Sequence, residues 1–132
     1  MEDLTLIDYI MGLLDWNRSI TDQEEGIRLA GNMESIDVFL QPCSEKHNKN
    51  VWDNCAKILS ERTDEELSPY LVELFEWLQD LNWPGASCIR ERLQKYADKA
   101  AYHQALHACL EHAKEVEDHV WENNLRMLQA EG

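Results

Sequence analysis

The sequence predicts an all-α fold: a short right-handed stack of antiparallel helix pairs, about eight helices, filling residues 1–132 as a single helical-repeat domain. Three observations carry this reading. Glycine and proline are scarce, at 5 and 3 of 132 residues, which disfavours a turn-rich β architecture. Apolar residues recur at helical spacing in one segment after another. The stretch VWDNCAKIL, Val51 to Leu59, returns as VWENNLRML, Val120 to Leu128, so that Trp52 and Trp121 stand 69 residues apart, about two units of a helix-pair array. An up-and-down bundle of the same amphipathic helices is the alternative architecture.

The elements follow in order. Residues 3–16 carry Leu4, Ile7, Ile10, Met11 and Leu14 on one helical stripe, and Asp22 to Ala30 supplies its partner, with Gln23 at the Trp52 position and Thr21/Glu24 spaced as a capping box. SIDVFL, 35–40, is a shorter first helix ended by Pro42, and QPCSEKHNKN, 41–50, is the longest loop before the helix of Val51 to Leu59. Thr63 and Glu66 again have capping-box spacing, and Ser68 places a cap ahead of Pro69. The helix 69–81 carries two apolar stripes, Leu71/Leu74/Phe75/Leu78 and Tyr70/Leu74/Trp77/Leu81, and leaves Glu73, Glu76 and Asp80 as a solvent strip. A helix packed on two sides belongs in the middle of a stack. Pro84 opens the next second helix, whose Leu93 aligns with Leu59 and Leu128. Asp98 and Asp118 cap the last pair, and its first member, 99–114, has a single stripe of Tyr102, Ala105, Leu106, Cys109, Leu110 and Ala113.

The run WLQDLNWPGA reads as a helix-to-helix corner. The first helix ends near Asp80, the chain turns through Leu81, Asn82 and Trp83, Pro84 starts the next helix without losing a needed N–H, and Gly85 and Ala86 allow close approach. Trp83 covers the turn, while Trp52, Trp77 and Trp121 are expected to be buried between successive pairs.

Charge bounds the function classes. With 26 acidic against 12 basic residues the formal net charge is −14, a field that repels phosphate backbones and anionic lipid. No run of cations forms a basic patch, so neither nucleic acid nor membrane is expected as a partner, and a basic protein is. The N-terminal MEDLTLIDYIMGLLDW lacks a basic n-region and no segment reaches the ~18 apolar residues of a membrane helix, which points to the cytoplasm. Cysteines at 43, 55, 88 and 109 form no CxxC pair and read as reduced thiols, with Cys55, Cys88 and Cys109 on apolar faces.

Candidate chemistry is thin. His103, His107 and Glu111 lie in line on one helix, a spacing that can hold a divalent ion, and His112 with His119 is a second option. That line faces water by its helical angle and no HExxH is present, so neither metal nor cofactor is expected. Cys43 and His47 could pair as nucleophile and base, but they share one polar loop with no oxyanion donors in view. No catalytic residue is assigned. The favoured function is a non-catalytic protein-binding module that presents Glu73, Glu76 and Asp80, with Glu24, Glu25, Asp64, Glu65 and Glu66, to a basic partner. A toxin-neutralising immunity-type protein is its most concrete version, and a small helical enzyme or metal-binding domain using the histidine-rich C-terminal half is the alternative.

ELSPYLVELFEWLQDLNWPGA, followed by Ile89 and Leu93, resembles the signature of a family of uncharacterised, mostly bacterial proteins, a domain of unknown function marked by W-L-Q-D-x-N-W-P-[GV]-A. Lys46 and His47 ahead of the first shared helix, and Asp118 and Trp121 before the last, extend the likeness over about residues 44–129. The resemblance implies a HEAT-like helical repeat for 44–132, with 1–43 as an added N-terminal helix pair. It brings no catalytic residues, and these units are shorter than typical HEAT units.

Overall fold

Capping chemistry sets most of the helix starts in the computed structural model, which describes the backbone of residues 4–44 and 49–131 and the side chains of 5–42 and 49–129. Among these residues there is no strand. The α-helical segments are α1 (Leu4–Leu13), α2 (Ile20–Ala30), α3 (Gln41–Ser44), α4 (Trp52–Ser60), α5 (Asp64–Leu67), α6 (Leu71–Glu76), α7 (Ala86–Gln94), α8 (Lys99–Glu115) and α9 (His119–Glu131), with 3-10 turns at Asp37–Phe39, Lys49–Val51, Ser68–Tyr70 and Trp77–Gln79. The all-α expectation holds.

Three expected caps form. The Thr63 hydroxyl accepts from the Glu66 N–H at 3.1 Å while the Glu66 carboxylate accepts from the Thr63 N–H at 3.2 Å, a complete capping box. Asp98 accepts from the Ala101 N–H at 3.1 Å and Asp118 from the Trp121 N–H at 3.0 Å.

Other boundaries move. The cap of α2 is Ser19, accepting from the Asp22 N–H at 3.1 Å, so Thr21 lies one residue inside the helix. Pro42 sits in the first turn of α3 rather than ending a helix, because a first-turn residue needs no intrahelical N–H bond. SIDVFL contributes only the turn Asp37–Phe39. Of the expected loop 41–50, residues 41–44 and 49–50 are helical, and 45–48 lie outside the described residues. Ser68 caps nothing: Asp64 to Gln79 is one helical run, tightened to 3-10 geometry where Pro69 supplies no N–H. The next helix starts at Ala86, with Gly85 rather than Pro84 at its head.

The central run is packed on more than one side, as its double stripe implies. α6 lies against α3, α7 and α8, and the turn Trp77–Gln79 lies against α7 and α9. Leu71, Leu74, Phe75, Trp77 and Leu78 are buried, and so is every residue of the α8 stripe. The second helices α2 and α4, then α4 and α7, are neighbours. They bury one register: Gly26/Ala30, Trp52/Cys55/Leu59, Ala86/Ile89/Leu93 and, in α9, Trp121/Leu125/Leu128. The repeat is therefore a repeat of packing face, although Val51 is buried where Val120 is 62% exposed. Buried side chains from Ile10 to Leu128 form one connected cluster.

Polar clasps close the helix ends. A helix leaves its last carbonyls unpaired, and here side chains from later elements reach back to them. Asn54 donates to the Leu14 carbonyl at 2.7 Å, Arg62 to the Ala30 and Met33 carbonyls at 2.8 Å each, and Asn124 to the Leu78 carbonyl at 2.8 Å. Alignment of the two repeat copies pairs Asn54 with Asn123. The equivalent clasp is made by Asn124, one residue on.

Candidate functional site

The WLQDLNWPGA corner is built as a clamp. Asp80 accepts from the Asn82 N–H at 2.8 Å with its side chain and from the Trp83 N–H at 3.0 Å with its carbonyl, and the Trp77 indole N–H donates to the Pro84 carbonyl at 2.9 Å. Gly85 has φ +85°, and a Cβ there would stand 2.7 Å from the Ala56 Cβ and 2.9 Å from the Trp52 carbonyl oxygen. Trp52 meets Trp77 and Trp83 edge-on at 6.1 and 5.4 Å, with the Lys49 ammonium 5.6 and 5.8 Å from the Trp52 and Trp83 rings. Trp121 binds the other side of the same run, donating to the Phe75 carbonyl at 3.1 Å. All eight residues of the expected structural motif, Trp52, Trp77, Asp80, Asn82, Trp83, Pro84, Gly85 and Trp121, lie in or against this central run and its corner.

The acidic residues divide into two sets. Asp64 bridges Arg92 and accepts from the Ala97 N–H at 2.9 Å, contacts that hold its carboxyl below the ordinary value, the Ala97 bond contributing most. Glu66 belongs to the Thr63 box and pairs with Arg62 at 2.8 Å, and the Arg62 bond leads the downward shift of its pKa. Asp80 makes the corner turn. These three have structural work, whereas Glu24 and Glu65 are exposed and Glu25 pairs with Arg28 on the surface. Glu73, Glu76 and Asp80 are half-buried rather than a fully solvated strip; α8 packs against the helix that carries the two glutamates, and Asp80 is drawn into the corner.

The fold adds two features that periodicity did not announce. An open groove of about 380 Å³ runs between the start of the central run and α8, floored by Pro69, Leu71, Val72, Ala101, Ala105 and Ala108. Glu65, Pro69, Val72 and Glu76 share one helical face by spacing, although no charged residue lines the groove itself. The field of Glu76 and Glu73 reaches this region: burial first, then these two carboxylates, push the Cys109 thiol up to about 12, and Cys109 donates to the Val72 carbonyl at 3.7 Å. The signal in sequence was the alanine line 101, 105 and 108, of which Ala105 belongs to the α8 stripe and Ala101 and Ala108 lie beside it. The second feature is a cleft of about 400 Å³ where Arg62 meets Arg92 and Lys95 from the end of α7, with Asp64 and Glu91 beside them. It is a local gathering of cations where the sequence suggests none. Arg62 and Arg92 are largely committed there, to Glu66, Asp64 and main-chain carbonyls.

His103, His107 and Glu111 lie exposed along α8, with Glu111 paired to Lys114 at 3.6 Å. His112 meets Trp121 edge-on at 5.8 Å. No group of three or more metal-ligating side chains is assembled among the described residues. The Cys43/His47 pair falls outside the residues whose side chains are described. Cys55 and Cys109 are buried free thiols, and Cys88, half-buried in the cation cleft, lies 3.1 Å from the Ser60 hydroxyl. Among the described residues no helix is long and apolar enough to cross a membrane.

No curated protein and no solved structure matches the chain. A family model does, over residues 45–130, which takes in everything from the approach to the Trp52 helix through α9 and leaves α1 to α3 outside. The chain belongs to the family described as Domain of unknown function (DUF5071).

Proposed function

We propose that the protein is a non-catalytic binding module that captures a basic protein partner on its acidic surface, with a toxin-neutralising immunity-type protein as the most concrete form. The observation that carries this is the division of the carboxylates: in a chain of net charge −14, Asp64, Glu66 and Asp80 are used in the fold, whereas Glu24 and Glu65 are exposed and Glu73 and Glu76 stay partly exposed along the central run. The partner surface expected at first is thereby narrowed to the second set. The second-helix register shared by α2, α4, α7 and α9 supports a short right-handed HEAT-like stack as the frame. Free thiols at Cys55, Cys88 and Cys109 suit a reducing cytoplasm. The test is capture from lysate of the source cell at low and high ionic strength, with mass spectrometry. A basic protein retained at low salt and released at high salt is the expected result, and a partner set with no basic bias overturns the reading.

A further inference from the structure

We infer that Cys88 is a modification site: its thiol, in the wall of the cation cleft, forms a mixed disulfide with a small thiol that carries both carboxylate and ammonium groups, the class of glutathione and cysteine. The cleft, about 400 Å³, falls in the ~300–1,000 Å³ range of small-molecule sites, and the half-buried Cys88 opens on it, whereas Cys55 and Cys109 are buried in the core. The Ser60 hydroxyl stands 3.1 Å from the Cys88 sulfur, where it can donate to the thiolate.

Charge selects the reagent. Arg62 and Arg92 are held by Glu66, Asp64 and main-chain carbonyls and form a fixed wall. Glu91 and Lys95 differ from them: both are exposed, and neither side chain is engaged in a hydrogen bond or ion pair among the described residues. Cys88, Glu91 and Lys95 stand at i, i+3 and i+7 along α7 and its C-terminal cap, so they share one helical face, with Lys95 about 10 Å along the axis from Cys88 and Glu91 between them. A zwitterionic thiol matches that line, with its sulfur on Cys88, its ammonium toward Glu91 and a carboxylate toward Lys95. A neutral reagent can use neither charge, and a dication meets Lys95 with like sign. The net charge of −14 repels anions from afar, but at ~0.15 M ionic strength, where the Debye length is about 8 Å, the charges of the cleft itself decide.

The step is thiol–disulfide exchange. The Cys88 thiol gives its proton to solvent, and the thiolate attacks one sulfur of the symmetric disulfide of the small thiol. The new S–S bond forms as the old one breaks, and the released thiolate takes up a proton, so the disulfide is the oxidant and no other redox partner is needed.

The test uses the full chain carrying Cys43→Ser, at about pH 8 and ~0.15 M ionic strength. The probes are oxidised glutathione, cystine, the neutral bis(2-hydroxyethyl) disulfide and the dicationic cystamine, with adducts followed by intact mass and located by peptide mapping. Each rate is divided by that of N-acetylcysteinamide with the same probe, which removes the intrinsic reactivity of the reagent. The expected result is an adduct on Cys88, formed at least fivefold faster on this scale with oxidised glutathione, cystine or both than with the neutral and dicationic probes. Lys95→Gln and Glu91→Gln, two exposed positions with folding checked by circular dichroism, should each lower that preference at least threefold. Preference for oxidised glutathione alone assigns the tripeptide, and preference for cystine alone the single amino acid. No adduct on Cys88, an adduct on Cys55 or Cys109, equal or faster reaction of the neutral or dicationic probe, or an unchanged preference in either variant that folds overturns the inference.

Discussion

Replacing Gly85 by alanine tests the corner that holds the central run against α4. At φ +85° an L-residue costs about 1–2 kcal/mol through its Cβ–carbonyl clash. The new methyl would also lie 2.7 Å from the Ala56 Cβ, 2.9 Å from the Trp52 oxygen and 3.1 Å from Trp77 Cζ2, contacts made by main chain and a wedged indole that cannot swing aside. Overpacking of this kind costs ~1–3 kcal/mol. Reduced freedom of the unfolded chain offsets about 0.4–1 kcal/mol, which leaves a net loss of roughly 2–4 kcal/mol out of a typical 5–15. Urea melts followed by tryptophan fluorescence read this directly, since Trp52, Trp77 and Trp83 all report on the corner. Gly12→Ala is the internal control: no atom lies within 4 Å of its Cβ position, it sits inside α1, and the change should be neutral or stabilising by up to ~1 kcal/mol. A Gly85→Ala loss under about 1 kcal/mol would refute the clamp geometry.

Trp52→Ala and Trp121→Ala should each cost about 3–5 kcal/mol in the same melts, because both rings are buried against the central run. Trp121→Phe should cost ~1–2 kcal/mol more than Trp52→Phe, since of these two rings only the Trp121 indole N–H donates to a carbonyl, that of Phe75, while the Trp52 N–H has no partner among the described residues. Asp64 has its folded pKa below the ordinary 3.8, so its contribution is fully present above that value and is lost as pH falls through the folded pKa; Asp64→Asn should flatten the acid limb of stability against pH. In a Cys43→Ser background, iodoacetamide at mildly alkaline pH should label Cys88 alone at an appreciable rate, because burial pushes the Cys55 thiol far up and the Cys109 thiol to about 12. Peptide mapping checks this, and equal labelling of Cys55 would contradict it.

Features with a local cause were legible in the sequence. The α8 stripe could be read because six apolar residues, Tyr102 to Ala113, keep one helical angle within a helix of 17 residues, and the Thr63, Asp98 and Asp118 caps because each accepts from an N–H only three residues on. Pro69 and Pro84 were harder: proline marks a disturbance of the helix but does not say whether the chain stops, kinks or turns ahead of a glycine cap. The long-range clasps had no signal, since Arg62 and Asn54 reach carbonyls 29 to 40 positions back and nothing periodic announces such a pair. Of the candidate surface, the sequence shows the charge. It does not show that Asp64, Glu66 and Asp80 are bound into the fold, nor that three alanines of α8 face Val72 across a groove.

The most direct measurement is the association rate of the captured partner with the parent and with Glu65→Lys/Glu73→Lys/Glu76→Lys, as a function of salt. Asp80 is left in place because its carboxylate makes the corner turn. At ~10 mM ionic strength, where the Debye length is about 30 Å, the reversed variant, with its fold checked by circular dichroism, should associate at least tenfold more slowly, and the gap should narrow toward ~1 M as screening shortens to about 3 Å. Equal association rates at low salt, with the fold intact, would contradict the acidic-surface account.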